Sequence, residues 1–226
     1  MTAAFFVTGT DTEVGKTTIA AGLLHAARMS GLTTAACKPV ASGCEMTAAG
    51  LRNGDALALL AECTLPLRYE QVNPLAFEPA IAPHLAAREA GVDLSVAALA
   101  EPVRRILALQ AQFSLVEGAG GWRVPLAGQE ALSDLAVQLG LPVILVVGVR
   151  LGCINHALLS AEAIERDGLR LAGWVANIVD PTMSRLEENL ATLAERISAP
   201  CLGRVPHLRS PSPAEVARHL ELSQLL

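Results

Sequence analysis

A lysine and a threonine stand side by side directly behind a glycine in the run Thr8-Gly9-Thr10-Asp11-Thr12-Glu13-Val14-Gly15-Lys16-Thr17-Thr18. A glycine-bearing loop of this kind lets backbone amides turn inward around phosphate oxygens. A helix that follows it adds partial positive charge at its N-terminus. Lys16 is then placed to reach the β- and γ-phosphates of a nucleoside triphosphate, and the Thr17 hydroxyl to bind Mg²⁺. The flanks agree. Apolar Ala3-Ala4-Phe5-Phe6-Val7 leads in as a strand, and an alanine-rich helical pattern over residues 19–28 leads out, which is the order of a P-loop. The spacing departs from the usual one: five residues rather than four separate Gly9 from Gly15, and Thr10 stands where a glycine is expected.

Other stretches carry groups of related chemistry. A short strand over residues 33–37 runs into Lys38-Pro39-Val40-Ala41-Ser42-Gly43, where proline and glycine end it and leave Lys38 and Ser42 in a loop at its C-terminal edge. Parallel α/β sheets hold their ligands at that edge. Taken alone, Lys38 reads equally as a solvated surface lysine. Asn53-Gly54-Asp55 opens a helix over residues 56–61 with Asn53 or Asp55 as its N-cap. Asp55 is either that cap or a carboxylate for Mg²⁺. A buried strand, Phe113-Ser114-Leu115-Val116, ends in Glu117 and continues as Gly118-Ala119-Gly120-Gly121. A carboxylate there suits Mg²⁺, and the glycines permit close backbone approach to a ligand. Asn177, in the last turn of a strand over residues 172–179, is either a buried structural hydrogen-bonder or a reader of an adenine edge.

The elements that position these groups alternate between strand and helix. Strands are expected at 143–147 and 201–203, and helices at 132–139, 154–166, 185–197 and 213–226. A further helix over 96–109 is kinked or restarted by Pro102. Residues 64–92, with Pro66, Pro74, Pro79 and Pro83, read mostly as loop around short helical pieces. The alternation implies an α/β class: an open, mostly parallel sheet covered on both faces. No repeat or low-complexity linker interrupts the 226 residues, so a single domain over 1–226 is expected. Apolar residues make up 52% of the chain and aromatics only 3%, which implies a core of Ala, Leu and Val. The longest strongly apolar run, residues 141–149, is far shorter than the ~20 that a spanning helix needs, and reads as a buried parallel strand with no membrane partner. A net charge of -5 argues against nucleic acid as a partner. Met1-Thr2-Ala3-Ala4 has no basic region, so no secretory leader is expected and the location is cytoplasmic. The five cysteines lie far apart without a Cys-x-x-Cys pair, which reads as free thiols.

Several separated blocks together resemble the dethiobiotin synthetase family over nearly the whole chain. They are Val7-Thr8-Gly9-Thr10-Asp11-Thr12-Glu13-Val14-Gly15-Lys16-Thr17, Lys38-Pro39-Val40-Ala41-Ser42-Gly43, Asn53-Gly54-Asp55, Val116-Glu117-Gly118-Ala119-Gly120-Gly121, Gly152-Cys153-Ile154-Asn155-His156 and Trp174-Val175-Ala176-Asn177. The displaced P-loop glycine is itself a mark of that family. The resemblance implies a P-loop NTPase-like three-layer αβα sandwich and a particular chemistry. The family uses MgATP to close a cyclic urea from 7,8-diaminononanoate and CO₂ or bicarbonate. One amine becomes a carbamate, the carbamate attacks the γ-phosphate, and the other amine displaces phosphate from the mixed anhydride. A carbamate beside a triphosphate concentrates negative charge, which lysines and Mg²⁺ neutralise.

By the same resemblance, Lys38 is the catalytic lysine, and Lys16 contacts both the phosphates and the carbamate. Thr17, Asp55 and Glu117 hold Mg²⁺. Glu13, Val14, Gly15, Thr18, Gly118, Ala119 and Gly120 surround the nucleotide, and Asn177 reads adenine with the backbone of Pro206-His207-Leu208. Ser42, Thr12 and Gly118 face the diamine. The turn holding Leu151, Gly152, Cys153 and Asn155 reaches a neighbouring subunit's site and binds the substrate carboxylate, which implies a homodimer. Asn189 stands where some members carry tyrosine, and it hydrogen-bonds but does not stack. Two other P-loop classes fit less well. Amidotransferase-type synthetases usually append a glutaminase domain, for which 226 residues leave no room. Partition-type ATPases tend to carry an additional lysine early in the loop, where this chain has Thr10, Asp11 and Thr12.

Overall fold

Residues 2–226 are described in a computed structural model. In chain order, β1 (Ala3–Gly9) feeds α1 (Lys16–Met29), and β2 (Thr34–Cys37) is followed by the short strands β3 (Val40–Ala41), β4 (Glu45–Thr47) and β5 (Gly50–Arg52). Next come α2 (Gly54–Ala61), α3 (Tyr69–Val72), β6 (Leu75–Ala76), α4 (Pro83–Ala90) and α5 (Val96–Leu107). The second half runs β7 (Phe113–Glu117), α6 (Leu132–Leu139), β8 (Val143–Val149), α7 (Cys153–Arg166), β9 (Leu171–Ile178), α8 (Leu186–Arg196), β10 (Cys201–Val205) and α9 (Pro213–Ala217).

One sheet of six strands, in the order β10-β9-β8-β1-β7-β2, forms the middle layer, and every neighbouring pair in it is parallel. Its central strands are largely apolar because both faces are covered; all seven residues of β8 are buried. Successive side chains of a strand point to opposite faces, and the core divides accordingly. Phe6, Val143, Leu145 and Val147 pack on one side with Leu99, Leu135, Ala157 and Leu193 of α5 to α8. Phe5, Val7, Ile144 and Val146 pack on the other with Ile19, Leu23, Leu59 and Val216 of α1, α2 and α9. This is the three-layer αβα sandwich that the resemblance implied.

Parallel pairing brings the C-terminal ends of the strands to one edge. Val7 lies opposite Glu117, Cys37 opposite Val116, Gly9 opposite Val146 and Gly148 opposite Asn177. The P-loop, Lys38, Glu117 and Asn177 therefore meet at that edge although they are far apart in sequence.

Three sequence expectations are corrected. Residues 213–226 do not form one closing helix: α9 ends at Ala217, and a single 3-10 turn follows at Leu222–Gln224. Leu220 bridges Gly203 at the sheet margin, which draws the chain off the helical path. Pro102 does not restart the helix: α5 runs through it unbroken. Burial of Val96, Leu99, Val103 and Ile106, each worth about 1.5–3 kcal/mol, exceeds the ~3 kcal/mol of an interior proline. The loop after Lys38 contains β3, which pairs with β6 from the proline-rich stretch, and β4 and β5 form an unforeseen hairpin. All five cysteines are free. No helix among the described residues is long and apolar enough to cross a membrane.

Candidate active site

The P-loop is stitched to its surroundings from three sides. Gly15 takes φ 87° at the start of α1, a left-handed conformation that glycine adopts without a steric penalty. Lys16 arches back over its own loop, its Nζ donating to the Asp11 carbonyl at 3.0 Å. Asn177 Nδ2 donates to the Val14 carbonyl at 2.8 Å. On the third side, Thr10 occupies the position where a glycine was expected and uses its hydroxyl. Its Oγ1 accepts from the Gly148 amide at 3.2 Å, and Arg150 pairs with Asp11 at 2.7 Å.

Beside this loop lies a compact set of charges. Lys38 Nζ donates to Asp55 Oδ2 at 2.8 Å and to Glu117 Oε1 at 2.6 Å. Thr17 Oγ1 donates to the same Glu117 oxygen at 2.7 Å. Lys38 and Glu117 are buried, whereas the Asp55 side chain is half exposed. Burial alone would push the Lys38 ammonium down, but Glu117 and Asp55 outweigh it and hold its pKa above the usual lysine value. Burial likewise acts to raise Asp55, and Lys38 reverses it, leaving that carboxyl below its ordinary range. Lys16 is dominated by desolvation, which the nearby carboxylates only partly offset, so its pKa is lowered. An ammonium group in so poorly hydrated a place attracts anions more strongly than in bulk water.

The supports of this set were not visible in the sequence. Asn73 Nδ2 donates to the Lys38 carbonyl at 2.7 Å, and the Lys38 amide donates to the Val72 carbonyl. Tyr69 Oη donates to Asn73 Oδ1 at 2.9 Å and accepts from the Asn53 amide at 2.7 Å. Asn53 is the N-cap of α2, its side chain accepting from the Ala56 amide, so Asp55 is held as a first-turn residue rather than as the cap. One buried tyrosine thus fixes the loops carrying both Lys38 and Asp55. The only available signal was that Tyr69 is the chain's single tyrosine.

A cavity of about 860 Å³ opens over these groups, walled by Thr12, Gly15, Lys16, Thr17, Lys38, Ser42, Asp55, Glu117, Ala119 and Gly120, among others. A smaller one of about 270 Å³ shares Glu13 and Thr18 with it and is closed by Asn177, Pro206, His207 and Leu208. Two buried side-chain atoms in the larger cavity have no hydrogen-bond partner: Ser42 Oγ and Glu117 Oε2. Orphaned acceptors and donors of this kind call for a ligand. Among the described residues no three His, Cys, Asp or Glu side chains could hold a metal by themselves. The oxygens of Thr17, Asp55 and Glu117 do fit Mg²⁺, which takes few protein ligands and keeps water and phosphate oxygens.

Not every expected residue joins this site. The Gly118 amide is spent on the Val7 carbonyl, and a Cβ at Gly118 would meet the Phe6 ring at 3.1 Å. Val14 is buried beneath the loop. The turn at 151–155 lines neither cavity. Leu151 is 89% exposed and Cys153 is packed into the core, while Asn155 is exposed. Asn189 is partly buried on α8 and donates to the Arg185 carbonyl.

A parallel sheet with this loop, a buried lysine and two carboxylates at its C-terminal edge defines a P-loop nucleotide-binding protein. Solved structures share the fold: a ParA family ATPase from Chlorobium tepidum has a TM-score of 0.56 at 12% identity, covering 98% of this chain and 92% of that one. The MinC:MinD cell division protein complex of Aquifex aeolicus gives 0.56 at 16%, covering 96% and 94%. A family model described as an AAA domain matches residues 3–215. The ATP-dependent dethiobiotin synthetase BioD of Pseudomonas paraeruginosa is 80% identical over 98% of this chain and 97% of its own length. The enzyme of the same name from Cellvibrio japonicus is 61% identical over 99% and 97%. The chain belongs to the dethiobiotin synthetase family.

Proposed function

We propose that this chain is a cyclo-ligase of biotin biosynthesis, a single domain that converts 7,8-diaminononanoate, CO₂ and ATP into dethiobiotin, ADP and phosphate. The observation that carries the reading is Lys38, buried between Asp55 and Glu117 in the wall of a cavity that the P-loop also lines. One amine adds to CO₂ and loses a proton, giving a carbamate. A carbamate oxygen then attacks the γ-phosphorus as the bond to ADP breaks. The second amine attacks the carbamoyl carbon, and phosphate leaves as the ring closes. Lys16 and Lys38 neutralise the charge that gathers where carbamate and triphosphate meet. The Ser42 hydroxyl, otherwise without a partner, is available to the diamine.

Mg²⁺, bound by Thr17, Asp55 and Glu117, would supply charge neutralisation at the phosphates. The adenine takes the smaller cavity. Asn177 spends one amide hydrogen on Val14, which leaves a second donor and its carbonyl oxygen for the base edge. The reaction belongs in the cytoplasm, where ATP is held at high concentration. Purified protein with the diamine, bicarbonate, Mg²⁺ and ATP is expected to yield dethiobiotin and ADP in equal amounts. Hydrolysis of ATP that ignores the diamine would count against this reading.

The position of Leu151 and Asn155, exposed and outside both cavities, supports a homodimer in which each turn completes the other subunit's site. Inactive Lys38→Ala and Asn155→Ala proteins, mixed and allowed to exchange subunits, are expected to regain about a quarter of wild-type activity. Half the dimers are then hybrids, each with one intact site. No recovery despite confirmed hybrids would mean that each subunit's site is self-contained.

A further inference from the structure

The segment 119–125 forms one wall of the larger cavity, all but the buried Trp122 lining it, and none of it lines the smaller one. The wall begins in a glycine-rich run, and among the described residues no backbone group of 119–123 makes a backbone–backbone hydrogen bond. Such a segment has much conformational freedom to lose on ordering. Its side chains must hold it.

Two of them reach a single carboxylate. Trp122 Nε1 donates to Asp167 Oδ2 at 2.8 Å. Arg123 donates to both oxygens of Asp167, at 2.6 and 2.7 Å, in the bidentate arrangement favoured by guanidinium and carboxylate. Arg123 Nη1 also donates to Ser133 Oγ at 3.0 Å. The indole of Trp122 is buried and meets Phe6 edge-on at 6.1 Å, and that same Phe6 ring abuts Gly118. Asp167 is the C-cap of α7. A carboxylate at the negative end of a helix is electrostatically misplaced, and the donors from the wall are what offset it. Asp167 itself lines neither cavity.

We propose that Asp167, acting through Trp122 and Arg123, is a positioning residue that clasps the 119–125 wall to the end of α7 and so sets the surface against which the diamine lies. This rests on the reaction proposed above. The wall shares the larger cavity with the P-loop but lines no part of the smaller one, so loosening it disturbs the diamine more than the nucleotide.

In Asp167→Ala, KM for the diamine is expected to rise about tenfold while KM for ATP stays within about twofold. Asp167→Asn, which keeps the shape and one acceptor oxygen, is expected to move the same way by less. Combining Arg123→Ala with Asp167→Ala should be no worse than the more damaging single change, since one clasp is removed in each case. A lowered melting temperature with unchanged kinetics, or an equal rise in both KM values, overturns the proposal. Amide hydrogen exchange over residues 119–125, measured without substrates, should quicken in Asp167→Ala, and unchanged exchange also overturns it. That readout stands whether or not the wild type makes dethiobiotin, a failure that would count against the reaction and not the clasp.

Discussion

Lys38→Ala is expected to lower kcat by about 10²–10³-fold while ATP binding persists, the range seen when one preorganised donor to a developing anion is removed. In the proposed reading the nucleotide is held mainly by the P-loop and the smaller cavity, and Lys38 does not line the smaller cavity. In the proposed reaction the carbamate must approach a triphosphate, and Lys38 is the cation bonded to both Asp55 and Glu117 in the cavity wall. Removing one partner of a buried pair also destabilises, by about 3–5 kcal/mol when the remaining charge is left uncompensated. Half-exposed Asp55 reduces that figure through solvent screening. Lys38→Arg separates the two effects. It keeps a charge for the carboxylates, yet its planar fork cannot reproduce a point cation bonded to two oxygens. Loss of turnover in both variants, with a normal melting temperature in the arginine one, assigns the defect to chemistry. Turnover within about threefold of wild type in Lys38→Ala would return the residue to a structural role.

How much of this was legible depended on the range of the interactions. Residues 143–149 announced a buried strand because each side chain in it is apolar, and the P-loop announced itself through Gly15-Lys16-Thr17. Lys38 could be placed at a strand end from Pro39 and Gly43 alone. Its pairing with Glu117 could not, since that follows from β7 lying between β1 and β2 in the sheet. Sheet order is a tertiary choice with no local signal. The same holds for Tyr69 and Asn73, whose polar side chains reach across loops, and for Asp167, which reads locally as an ordinary residue after a helix. The β4–β5 hairpin escaped notice because β4 is exposed throughout and shows no alternation. Residues 213–226 looked helical by composition, and a single bridge to β10 overrode them. The roles of Ser42, Asn155 and the adenine loop came from family resemblance, not from periodicity.

The odd spacing of the P-loop has a physical account. Its additional residue lets Thr10 turn toward β8, where the hydroxyl accepts from Gly148 and the Thr10 amide donates to Val146. Val14 fills the space that Gly148 leaves, since a Cβ there would come within 2.6 Å of it. The loop is therefore fastened to β8, the strand that leads into the 151–155 turn, and beyond it to Asn177 in β9. A change at any of these contacts shifts the P-loop.

Gly15→Ala tests that fastening most directly, and is expected to raise KM for ATP about 10²-fold. Two effects have to be separated. At φ 87° a side chain meets left-handed strain of about 1–2 kcal/mol. Gly31, at φ 81°, carries the same strain, but a Cβ there meets nothing within 4 Å. At Gly15 the Cβ would lie 2.3 Å from Asn177 Nδ2. Asn177 must then move, breaking its bond to Val14 and displacing a wall of the smaller cavity. One methyl group thus disturbs both the P-loop and the smaller cavity. Gly31→Ala should lower stability by about 1 kcal/mol and leave KM for ATP unaltered. Joining Asn177→Ala to Gly15→Ala should add little further loss, because the first change has already displaced that side chain. If the two glycine variants bind ATP alike, backbone strain is the whole effect, and the Asn177–Val14 bond is not what holds the loop in place.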